Sequence, residues 1–161
     1  MMESARPARS VPLAVSARRT FYDEGLIVLR GVFRPDEVAE MRAAFDRLEQ
    51  LAKRLDGTEI HHGSQFVVER SDHHPLRIHR VVWCGGAEPV LGRYGEDPRL
   101  TGLASRLLGS RRIVQLINQA HFKLPGDGVA FPWHQDSRHR RYGEEAWADV
   151  NGRGSYVQTV T

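Results

Sequence analysis

Apolar residues recur along this chain in two distinct rhythms, and the rhythms lay out its elements. Val38, Met41, Phe45, Leu48, Leu51 and Leu55 follow one another at three- and four-residue spacing, the stripe of an amphipathic helix. Pro35 suits the first turn of that helix, Asp36 and Glu37 suit the positive end of its dipole, and Gly57 closes the run. A second helix is expected over Pro98 to Leu108, with Leu100, Leu103, Leu107 and Leu108 on one face and Gly109 as the stop. Ser16 to Asp23 reads as a short first helix, capped by Ser16 and closed at Gly25. Between and after these helices the pattern changes. Leu26–Leu29, Phe66–Val68, Ile78–Trp83 and the long stretch Arg112–Leu124 read as strands, the last ended by Pro125-Gly126. Residues 130–152 read as loop with Trp147 as an anchor, and Ser155–Val160 as a further strand. Helices first and strands later define an α+β domain.

At 161 residues the chain suffices for one domain with a core of its own. Its 40% hydrophobic and 27% charged content is that of a globular protein in water. A single cysteine, Cys84, excludes an internal disulfide framework and fits a reducing cytoplasm. No apolar stretch approaches the length of a membrane span. The net charge of +3 comes almost wholly from arginine, and acids alternate with bases along the chain. Without a basic helical face or interleaved aromatics, a nucleic-acid partner is not indicated. The one tight basic run, Arg138-His139-Arg140-Arg141, reads as a solvated loop or as a rim that attracts anions. Residues 1–19 are expected to form a disordered tail ahead of a single domain over 20–161.

The candidate chemistry sits at Phe131-Pro132-Trp133-His134-Gln135-Asp136. Residues two apart in a strand face the same way, so the His134 imidazole and the Asp136 carboxylate can grip one metal ion. A second histidine would complete the two-histidine, one-carboxylate face that holds non-haem Fe(II) with positions left open. Trp133 and Phe131 are expected to pack and hold this loop. Cys84, beside the Gly85-Gly86 turn, is read as structural. His61-His62 lacks an acidic partner, and His73, His74 and His79 are read as surface residues.

The run from Phe122-Lys123-Leu124-Pro125-Gly126 through Phe131-Pro132-Trp133-His134-Gln135-Asp136-Ser137 resembles the phytanoyl-CoA dioxygenase family of Fe(II)/2-oxoglutarate oxygenases. The stretch Phe21 to Phe33, followed by a helix, is similar to that family's opening. The resemblance implies a double-stranded β-helix, a jelly roll with N-terminal helices backing one sheet, of which this chain would supply the first half. It implies His134 and Asp136 as metal ligands, and Fe(II), 2-oxoglutarate and O2 as cofactor and co-substrates. It also implies Gln119 and His121, on the strand before the ligand pair, as candidates to line the 2-oxoglutarate pocket. A small organic molecule would be the substrate. The family's distal histidine and its 2-oxoglutarate-binding arginine fall downstream of Thr161. Two readings follow: a dioxygenase acting on a small molecule, or a non-catalytic fragment that needs another polypeptide for those two residues.

Overall fold

The computed structural model, which describes residues 15–72, 76–123 and 132–133, contains four helices and a four-stranded antiparallel sheet. The helices are α1 (Val15–Glu24), α2 (Pro35–Ala52), α3 (Pro89–Gly95) and α4 (Pro98–Leu108). The strands are β1 (Glu59–His61), β2 (Ser64–Glu69), β3 (Arg77–Val82) and β4 (Gln119–His121), in the spatial order β1-β2-β3-β4.

Local signals account for most of the boundaries. Pro35 begins α2, and the Glu37 carboxylate reaches back to accept the Arg34 backbone N–H at 2.7 Å, satisfying a donor the helix cannot. At α4, the Asp97 side chain accepts from the Arg99 backbone N–H at 2.8 Å, and Gly109 terminates the helix at φ +68°. Gly25 closes α1 at φ +77°. Both glycines occupy the left-handed region that disfavours a Cβ. His62 and Gly63, at φ +48° and +77°, join β1 to β2 with the two positive φ values a tight hairpin needs. His61 therefore ends β1 and His62 opens its turn.

The core lies between α2 and one face of the sheet. Ala44, Leu48 and Ala52 pack with Phe66 and Val68 of β2, Ile78 and Val81 of β3, and Ala120 of β4. This corrects the expected face of α2: Phe45 is 40% exposed, and Val38 is exposed as well. Two alanines let the helix approach the sheet closely, so the buried stripe turns toward them. Phe45 is left on the flank, edge-to-face with Phe122 at 6.4 Å. The helix also ends at Ala52, five residues short of Gly57, while Leu55 stays buried in the turn that follows.

Two other expectations change. Leu26–Leu29 joins no ladder. Among the described residues of the anticipated 112–124 strand, only Gln119–His121 pairs, opposite Arg80–Val82 of β3. A further helix, α3, forms over Pro89–Gly95, where no element was expected. A Cβ on Gly85 would lie 2.6 Å from the Gly92 Cα, so the Gly85 turn and α3 meet backbone to backbone. Residues 124–131 and 134–161, with the Ser155–Val160 strand and the 130–152 loop, lie outside the described residues except for Pro132 and Trp133.

Candidate active site

Antiparallel pairing decides what β4 presents. Val81 sits opposite Ala120 on the helix side, where both are buried. Val82 and Arg80 sit opposite Gln119 and His121, which therefore share the other face of the sheet. That face carries no helix among the described residues, and Gln65 and Val67 of β2 extend it. A register shift between Val67 and Val68 leaves His79 as the extra residue of β3. It restores the inward aim of Ile78 while keeping Arg80 outward.

Gln119 and His121 thus lie together, as their spacing predicted, and they touch. The Gln119 Nε2 amide approaches the His121 Nε2. Read as a hydrogen bond, the contact has the amide donating and the ring nitrogen accepting. The surroundings disfavour a charged ring. Desolvation lowers the His121 pKa below the usual histidine value, and the neighbouring cations Arg80 and Lys123 lower it further.

One anchor of β4 was missed in the sequence. Asn118 binds the turn after β3 three times: its carbonyl accepts the Cys84 N–H at 3.0 Å, and its Oδ1 accepts the Gly85 N–H at 3.0 Å and the Cys84 thiol at 2.8 Å. A Cβ on Gly95 would meet the Asn118 amide at 2.7 Å, so α3 closes the same knot. Ser64, fully buried, donates to the Trp83 carbonyl at 2.6 Å and accepts from the Ala87 N–H at 2.8 Å. This holds the turn with Trp83 at φ +55°. The Gly85-Gly86 pair was the available signal, since adjacent glycines after a strand announce a close approach. Arg80, next to His121, was also missed, because its aim depends on the bulge.

Cys84 is buried, and burial pushes its thiol up to about 11, in keeping with a structural role. His79 is not simply exposed: it is half-buried and its Nε2 lies 3.0 Å from a Glu69 carboxylate oxygen. Trp133 is fully exposed, which overturns its expected packing role. The metal-ligand candidates His134 and Asp136 lie outside the described residues, as do Phe131, His73, His74 and the 138–141 basic run. Among the described residues no cluster of three metal-binding side chains occurs, and no helix is long and apolar enough to cross a membrane.

The phytanoyl-CoA dioxygenase (PhyH) family profile matches residues 21–151, which includes β4 and the whole His134–Asp136 motif. The chain belongs to that family. It is similar to an ectoine dioxygenase of Bordetella bronchiseptica, 25% identical over 124 residues that make up 77% of this chain and 37% of that protein. An ectoine dioxygenase of Sphingopyxis alaskensis is 28% identical over 125 residues, 78% of this chain and 38% of the relative. The chain thus spans under two-fifths of the length of the curated relatives it matches. No solved structure matches it.

Proposed function

We propose that this chain is the N-terminal portion, from about residue 20, of a cytoplasmic Fe(II)- and 2-oxoglutarate-dependent dioxygenase that hydroxylates a small organic substrate. The observation that carries the reading is the His134-Gln135-Asp136 motif inside the family match over 21–151. A neutral imidazole and a carboxylate are donors that Fe(II) accepts, and His134 and Asp136 would be two of its ligands. Bound there, the iron would supply oxygen chemistry that side chains alone lack.

The remaining work falls to the sheet. The face of Gln119 and His121 would be one wall of the 2-oxoglutarate pocket, within a jelly roll whose outer face α2 covers. His121, whose charged form its surroundings disfavour, can offer that wall a hydrogen bond. Arg80 beside it would draw an anionic co-substrate toward the wall, since guanidinium groups pair well with carboxylates.

A second reading is favoured by the length comparison. The chain covers 37% of the Bordetella relative, and the distal histidine and arginine that the resemblance implies match no residue of this chain. Another stretch of polypeptide would then complete the site.

The test measures succinate formed from 2-oxoglutarate by the 161-residue chain with Fe(II), beside His134→Ala and Asp136→Ala. Turnover lost in both variants at unchanged melting temperature supports the ligand assignment. Equal turnover in variants and wild type removes it. No turnover in a folded wild type favours a site completed by another polypeptide.

A further inference from the structure

β3 cannot be a regular strand, because two of its residues three positions apart are both buried. Ile78 is 3% exposed and Val81 0%, and both pack in the core beneath α2. Strict alternation from Ile78 would send Arg80, not Val81, into that core. The extra residue, His79, lies between the pairs Val67–Arg80 and Val68–Ile78. It turns the exposed Arg80 to the uncovered face, opposite His121. Apolar burial explains why a bulge forms; what holds the exit of Arg80 from it is polar.

The bulged residue is tied on both sides. Toward β2, the His79 Nε2 lies 3.0 Å from the Glu69 Oε2, the same oxygen that stands 3.7 Å from the Arg77 guanidinium. Toward β4, the His79 carbonyl accepts the Phe122 N–H at 3.3 Å, one residue past His121. Arg80 follows His79 directly in the chain and is in no ion pair among the described residues. We propose that the Glu69–His79 pair is a positioning latch: it fixes the bulge so that Arg80 stands against His121 on the candidate pocket wall, where it can receive an anionic group. The service of Arg80 to a 2-oxoglutarate pocket rests on the dioxygenase reading; the latch itself does not.

The ring of His121 reports where Arg80 stands, since desolvation, then Arg80 across the ladder and Lys123 beyond the end of β4, lower its pKa. Proton NMR titration of the 161-residue chain follows that ring, assigned by its absence from His121→Gln. Arg80→Gln should raise the His121 pKa. Glu69→Val, at a half-exposed strand position that suits valine, should raise it too, by releasing Arg80. The sign discriminates, because losing a carboxylate that acted directly on the ring could only lower it. In Glu69→Val/Arg80→Gln the rise should match that of Arg80→Gln alone. Glu69→Gln, which keeps an acceptor for His79, should titrate like wild type. Binding of 2-oxoglutarate with Fe(II) under nitrogen gives a second readout. Arg80→Gln should weaken it about tenfold, Glu69→Val by part of that, and Glu69→Gln by less than about twofold. A His121 pKa unchanged or lowered in Glu69→Val overturns the latch, as does an equal rise in Glu69→Gln. If the wild type binds no 2-oxoglutarate, the dioxygenase reading falls, while the His121 titration still upholds or overturns the latch.

Discussion

Arg99 should be the costliest single charge to remove from this protein. Its guanidinium donates to both oxygens of Glu37, at 2.8 and 2.9 Å, to both oxygens of Asp97, at 2.6 and 2.9 Å, and to the Val32 carbonyl at 3.2 Å. It also lies 4.5 Å from the centroid of the Phe33 ring. The three charged side chains are only 11–12% exposed, so one arginine ties the start of α2 to the start of α4 out of reach of most water. Truncation to alanine would leave two carboxylates largely desolvated and facing one another. Breaking a fully buried pair costs roughly 3–5 kcal/mol. This triad sits at the edge of the protein, so about 3 kcal/mol is expected. With a urea slope of roughly 2 kcal/mol per molar, the unfolding midpoint of Arg99→Ala should fall by about 1.5 M. The loss should also depend on pH. Arg99 holds the carboxyls of Asp97 and Glu37 below their ordinary values. Groups with depressed folded pKa values add stability above the unfolded pKa and lose it as pH falls through the folded one. The gap between wild type and variant should therefore be full at pH 7 and close progressively below about pH 4. Circular dichroism during urea titration at pH 7 and pH 3.5 checks both parts. A midpoint shift under 0.3 M at pH 7, or a gap that widens in acid, would refute the reasoning.

Two phenylalanines separate the buried face of α2's partner sheet from its flank. Phe66→Ala, at a fully buried position, should cost roughly 3–5 kcal/mol, whereas Phe45→Ala should cost about 1 kcal/mol, its contact with Phe122 being half open to solvent. Equal losses in thermal melts would show that the sheet and helix faces are misassigned. With its thiol held at about 11, Cys84 should react with iodoacetamide at pH 8 roughly 100-fold more slowly than a free cysteine, and at the ordinary rate in urea. Rapid labelling of the folded chain would contradict its burial.

How much of this was legible in the residues themselves varied with distance along the chain. The existence of α2 and α4, their starts at Pro35 and Pro98 and the stop at Gly109 were written in periodicity and local residue preferences, which act over a few residues. The cores of β2 and β3 were equally plain. So was the pair of residues, Gln119 and His121, that would share a strand face, because alternation needs no knowledge of a partner. The His134-Gln135-Asp136 motif and its setting announced the family before any fold was known.

Tertiary structure settled what depends on neighbours far away in the chain. The apolar spacing from Val38 to Leu55 allowed a stripe that included Phe45; the sheet chose the stripe through Ala44, Leu48 and Ala52. A strand needs a partner as well as a propensity. Leu26–Leu29 has the residues of a strand and no ladder, while β4 pairs over only three residues of a longer apolar run. No element was read over Pro89–Gly95, yet α3 forms there, and Gly92 is what lets that helix meet the Gly85 turn. Arg80 reaches the neighbourhood of His121 only because a bulge at His79 resets the alternation of β3. Local rules specify which elements form; long-range packing and pairing decide which of their faces meet.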